Sequence, residues 1–156
     1  MIATKRLFAV ASLVCVVGGA ALAQSDNPLI GTWKLNVAKS KSALFKSGTT
    51  KIEAVGAGVK FTVEMVSADG VASHWSFTAN YDGKDNPVAG DSPYGDTVAV
   101  TRIDPRTTQL ANKKGGKPTV TRTIVVSSDG KTRTTTSKGT NAKGEALETV
   151  AFYEKQ

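Results

Sequence analysis

An all-β chain folded as a single antiparallel up-and-down barrel of about eight to ten strands is what this sequence predicts, on three observations. Apolar residues recur at every second position, tight-turn dipeptides punctuate the runs, and no window of comparable length carries convincing helical spacing. In "VKFTVEMVSADG", Val59, Phe61, Val63 and Met65 alternate with Lys60, Thr62 and Glu64, the two-residue repeat of a strand with one buried face. The next run, "VASHWSFTANYDGK", repeats the pattern with Trp75, Phe77, Ala79 and Tyr81 against His74, Ser76, Thr78 and Asn80. Between them Asp69-Gly70 signals a hairpin, because both central positions of a type I′ turn need positive φ. The same punctuation returns at Asp82-Gly83, Gly115-Gly116 and Asp129-Gly130, with a looser version at Gly144. Strands are therefore joined to their neighbours in sequence.

In chain order the strands are expected at 30–36, 49–55, 58–67, 71–81, 96–103, 107–113, 118–127, 131–138 and 145–154, with a short one around Pro87 to Ala89. Val37 to Phe45 supply at most a short turn of helix. Strands apolar on one face only call for a closed barrel or a sandwich. Closure removes the sheet edges that a threonine-rich run such as "KTRTTTSKGT" would offer to other chains.

Ahead of the first strand, "MIATKR" supplies a basic segment with Lys5 and Arg6, followed by the apolar "LFAVASLVCVVGGAALA". Ala21 and Ala23 form an A-x-A site, so residues 1–23 read as a signal peptide cleaved after Ala23, and 24–156 as one barrel domain. The apolar stretch is shorter than the ~20 residues of a spanning helix, so no stable membrane insertion is expected after cleavage. Cleavage takes the net charge from +7 to +5 and removes Cys15, the only cysteine. That leaves no disulfide and no thiolate metal ligand. Export without disulfides or an N-x-[ST] acceptor points to a periplasmic or secreted bacterial protein.

The segment "GTWKLN" resembles the first strand of the calycin superfamily, the lipocalins and fatty-acid-binding proteins, whose first strand carries a G-x-W pattern. The ending "VAFYEKQ" is similar to the closing strand of the fatty-acid-binding proteins. This resemblance implies a lipocalin-like barrel plugged at one end by Trp33, with Gly31 letting the backbone pass close by, and a small hydrophobic or amphipathic ligand. Residue alternation agrees that Trp33 and Leu35 share a face. Fatty-acid-binding proteins place an arginine two residues before the closing tyrosine to hold the ligand carboxylate; here that position holds Ala151, ahead of Tyr153. They also insert a helical lid after the first strand, for which "VAKSKSALFKSGTT" is too short and polar. On the last strand the resemblance turns Ala151 and Tyr153 inward, whereas raw hydrophobicity favours Val150 and Phe152.

A cavity removing ~300 Å² of apolar ligand surface from water gains about 7 kcal/mol before entropy losses, enough for a lipid-like molecule. Arg102, after Val98 and Val100, and Arg122, between Val120 and Ile124, both fall on apolar strand faces. Inward guanidinium groups pair with a carboxylate or phosphate. Alternatively, each sits near a rim with its stem on the core and its head in water. Ligand-binding candidates are therefore Trp75, Tyr94, Arg102, Arg122 and Tyr153. The segment "YDGKDNPVAGDSPYGDTVAV" gathers Asp82, Asp85, Asp91 and Asp96 among glycines and prolines. Its spacing matches no EF-hand, and Asx turns account for the acids; Ca²⁺ stays open as an alternative.

No catalytic set, metal site or cofactor motif is expected. His74, the sole histidine, alternates outward, there is no G-x-S-x-G elbow, and "GAGVKF" lacks the third glycine of a dinucleotide fingerprint. The basic balance favours contact with anionic envelope surfaces, but the densest cluster, "NKKGGK", is a hairpin tip, so no nucleic-acid partner is expected. The alternative to a ligand carrier is a structural or surface-interaction protein whose barrel is filled with side chains. Oligomeric state is not legible in the sequence.

Overall fold

Alternation of large apolar residues with polar ones forces each run to bury one face, and the computed structural model meets that demand by rolling one antiparallel sheet into a nearly closed barrel. It describes residues 26–41, 44–141 and 143–156; the leader segment with Cys15 lies outside the described residues. The strands are β1 (Gly31–Asn36), β2 (Phe45–Val55), β3 (Gly58–Ser67), β4 (Ala72–Ala79), β5 (Asp82–Pro87), β6 (Ala89–Gly90), β7 (Thr97–Asp104), β8 (Thr107–Lys114), β9 (Lys117–Val126), β10 (Thr132–Thr140) and β11 (Ala146–Lys155). They pair in the order β5-β7-β8-β9-β10-β11-β1-β2-β3-β4-β6. Because β5 and β6 are consecutive in the chain, the segment 82–90 bridges both edges. Its first part pairs with β7, and its last two residues pair with β4 at Trp75↔Gly90 and Ser76↔Ala89.

The turns are more varied than the dipeptides suggest. Gly115 and Gly116 have φ of +54° and +77° between the paired Lys114 and Lys117, the conformation expected of a two-residue hairpin. Asp69-Gly70 and Asp129-Gly130 do form hairpins, but only the glycines take positive φ. In each, a serine begins the turn: Gly70 N donates to Ser67 O and Gly130 N to Ser127 O, both at 3.0 Å. These are longer loops that end on a glycine in the left-handed region, rather than type I′ turns. Asp82-Gly83 is not a hairpin at all. It lies within β5, where the pairing register with β7 shifts between Asp82 and Asp85. Between β1 and β2, Val37 to Lys39 form a turn and β2 begins at Phe45, so the helical turn is absent from the described residues there.

One end of the barrel is sealed by the segment before β1. Asn27 Nδ2 donates to the Tyr81 hydroxyl (2.8 Å), and Asn27 Oδ1 accepts from Leu29 N (3.2 Å). Trp33, fully buried, donates its indole N–H to Leu29 O at 2.9 Å. Gly31, at φ +140°, lies where the Lys155 stem crosses β1; a Cβ there would sit 2.5 Å from Lys155 Cε. That stem carries its ammonium to 5.1 Å from the Trp33 ring centroid. On β11, Tyr153 is buried and Ala151 faces the lumen, while Val150 and Phe152 turn outward and are half-buried. Outward hydrophobicity there is covered locally: Lys39 lies 5.2 Å from the Phe152 ring, and Ser40 Oγ accepts from Phe152 N.

Candidate functional site

Strand β9 brings the first cation inside. Val120, Arg122, Ile124 and Val126 alternate inward and are all buried, so Arg122 lies on a core face rather than at a rim. Its Nε donates to Asn112 Oδ1 of β8 at 3.1 Å, and Asn112 Nδ2 in turn reaches Thr97 O at 3.4 Å. The guanidinium lies 4.4 Å from the Tyr94 ring centroid, close enough for cation–π attraction. Tyr94 enters from the loop between β6 and β7 and meets Trp75 edge-on, with ring centroids 6.0 Å apart at 80°.

Strand β10 contributes a second inward cation that periodicity alone does not reveal. Arg133 pairs with Val126 across β9 and with Tyr153 across β11, and it is 3% exposed. Its guanidinium lies 4.2 Å from the Tyr153 ring centroid and 5.4 Å from that of Trp33. Arg133 Nε and the neighbouring Thr135 Oγ1 are buried with no hydrogen-bond partner among the described residues. Burial brings Arg133 down to about 10, and the charge on Arg122 pushes the same way. Arg122 is also lowered, by burial first. Both remain cations at neutral pH. Burial pushes the Tyr94 phenol up to about 12 and also raises Tyr153, so both stay neutral hydrogen-bond donors.

These side chains surround one internal cavity of about 40 Å³, room for only a few water-sized groups. Phe61, Val63, Met65 and Trp75 form one wall; Arg122, Arg133, Thr135, Ser137 and Thr149 form the other. No aspartate or glutamate is among the described lining residues, and neither arginine has an ion-pair partner within 4.0 Å among them. Leu44, Phe45 and Tyr94 also line an outer hollow of about 300 Å³, completed by Pro93 and Leu147 and by polar groups of the 141–145 turn. The inner cavity thus lies behind the mouth opposite Trp33.

Of the residues the sequence singles out as ligand contacts, Trp75, Tyr94, Arg122 and Tyr153 line this cavity together. Arg102 does not. It is half-buried, with its guanidinium 4.2 Å from the Tyr81 ring, toward the sealed end. Arg133 reaches the Tyr153 ring from the adjacent strand β10, whereas Ala151, two residues before Tyr153, brings no cation. The signal for it lies in pairing: a β9–β10 hairpin at Asp129-Gly130, with Arg122 and Val126 inward, puts Arg133 inward too.

The aspartates of 82–96 are dispersed. Asp85 pairs with Lys113 at 2.6 Å, Asp82 Oδ1 accepts from Lys84 N, and Asp96 Oδ2 accepts from Gly115 N. No group of three or more metal-ligating side chains occurs among the described residues. His74 is exposed, with Nδ1 4.0 Å from Glu64. Comparison of the chain with protein-family models, with curated proteins and with solved structures finds no match.

Proposed function

We propose that this protein is a non-catalytic carrier that holds one small amphipathic molecule non-covalently, with its anionic head inside the barrel. The observation that carries this reading is the pair Arg122 and Arg133, two buried cations on a cavity with no acid among its described lining residues. An uncompensated buried charge costs several kcal/mol, and an anion arriving from outside offsets that cost. The apolar remainder of the ligand lies in the hollow of about 300 Å³ at the mouth, against Leu44, Phe45, Pro93 and Leu147. Resemblance to the calycins at "GTWKLN" supports the same class of ligand. Export to the periplasm or beyond belongs to the proposal and rests on the leader-like residues 1–23.

A second reading, a barrel filled by its own side chains, is favoured by the inner cavity being only about 40 Å³. The two are separated by native mass spectrometry of the purified chain and by tryptophan fluorescence during titration with dodecanoate and dodecyl phosphate. Trp75→Phe identifies the part of the signal that comes from the lumen. A bound mass, or a saturable signal weakened in Arg133→Met, supports the carrier. Absence of both with these two amphiphiles leaves the filled barrel.

A further inference from the structure

We propose that the seat between Arg122 and Arg133 selects a doubly charged tetrahedral oxoanion, either free phosphate or the phosphate-monoester head of an amphiphile, over a monocarboxylate. The proposal rests on the anion-seat reading above and specifies its ligand. Its first support is charge. Two guanidinium groups line one cavity, no acid is among the described lining residues, and the two flanking phenols are neutral. A carboxylate neutralises half of that charge, whereas a dianion neutralises all of it.

The second support is donor geometry. Arg122 is held on the β9 wall by Asn112 and stacked on Tyr94, while Arg133 is held on β10 against Tyr153, so two planar forks approach from different strands. A carboxylate offers two oxygens in one plane and suits one fork. A phosphate group offers oxygens on several sides, which suits two forks plus hydroxyls. Those hydroxyls are present: Thr50, Thr135, Ser137 and Thr149 line the same cavity, and Thr135 Oγ1 is buried without a partner among the described residues. Size agrees as well, because about 40 Å³ suits a compact headgroup and leaves no room for a chain.

The test is calorimetric titration of the purified chain with inorganic phosphate, dodecyl phosphate and dodecanoate at pH 5 and pH 8. A phosphate monoester gains its second charge at a pKa of about 6, whereas the seat keeps both cations across this range. Dodecyl phosphate is expected to bind at least tenfold more tightly than dodecanoate at pH 8, with the advantage shrinking at pH 5. Saturable binding of inorganic phosphate identifies the free ion as sufficient; tight binding of the ester alone identifies an amphiphile head. Both phosphate affinities fall at least tenfold in Arg133→Met and severalfold in Thr135→Val, the second being a milder change should the first perturb folding. Equal or tighter binding of dodecanoate at pH 8, or a phosphate affinity that ignores pH, overturns the dianion assignment and leaves the anion carrier standing. Binding of none of the three probes removes both.

Discussion

The two walls of the lumen differ in how much polar chemistry they bury, since among the described residues Thr50 is the buried polar side chain on β2 to β4 while β9 to β11 bury two arginines and three hydroxyls. Along β2, β3 and β4 the inward residues include Ile52, Val59, Phe61, Val63, Met65, Trp75 and Phe77, closed by the stacked Phe61 and Phe77 rings 4.7 Å apart. Across β9, β10 and β11 the buried inward set includes Arg122, Arg133, Thr135, Ser137 and Thr149. The first wall is made by removing hydrocarbon from water and needs no specific partner. The second interleaves core residues such as Val120, Ile124, Val126 and Leu147 with groups that must be hydrogen-bonded or charge-compensated, of which Arg133 Nε and Thr135 Oγ1 have no partner among the described residues. A core needs nothing from the polar groups of the second wall, and it is on Arg122 and Arg133 of that wall that the proposed anion seat rests.

Substitutions on each side sharpen the contrast. The largest effect belongs to the sealed end: Trp33→Ala is expected to cost about 3–5 kcal/mol, read as a lower denaturant midpoint, because it removes a fully buried indole. Equal stability of this variant would break the claim that Trp33 plugs the barrel. On the polar wall the sign reverses. In buffer free of multivalent anions, Arg133→Met is expected to raise stability by about 1–4 kcal/mol, since it replaces a buried cation lacking an ion-pair partner among the described residues with a shorter, uncharged thioether side chain. Chemical denaturation with and without phosphate checks this, and a destabilised variant in anion-free buffer would mean the charge is compensated within the protein.

Tyr94 gives the next effect through pH. Its phenol ionises near 10 when unfolded and at about 12 when folded, so its contribution is fully present below pH 10 and is lost as pH rises through 12. The stability difference between wild type and Tyr94→Phe is expected to move against wild type by roughly 2–3 kcal/mol between pH 9 and pH 12. A flat difference across that range would show the ring to be solvated. Smallest of all is His74→Ala, at an exposed outward position, which is expected to change stability by no more than about 0.5 kcal/mol and leave the proposed anion binding untouched.

Legibility in the sequence follows the same division. Strands β3 and β4 can be read to within two residues because Val59 to Met65 and Trp75 to Ala79 alternate large apolar with polar residues. In β10, "TRTTTSKGT", inward Arg133, Thr135 and Ser137 alternate with outward Thr132, Thr134 and Thr136, so both faces are polar and no periodicity marks the inside. Arg133 is therefore invisible to a one-strand reading, and only the register set by β9 and β11 gives its direction. Arg102 and Arg122 look alike in sequence, each following inward valines. They differ because Arg102 lies near the sealed end, where Tyr81 receives its guanidinium, whereas Arg122 sits mid-strand between β8 and β10. Asp82-Gly83 misleads because a dipeptide fit for a turn serves equally well in a bulge.

The segment 82–90 makes this cylinder a zipped cuff rather than a continuous hoop. Where β2 and β3 share a ladder running from Phe45 to Val55, the join at β4 has two rungs, and one uses Gly90, where any Cβ would lie 2.3 Å from the His74 carbonyl oxygen. The Asp91 N–H adds a bond to the His74 carbonyl oxygen beside them (2.8 Å), and with so few backbone bonds at this join, local opening beside Trp75 is expected to cost less than opening any of the long ladders.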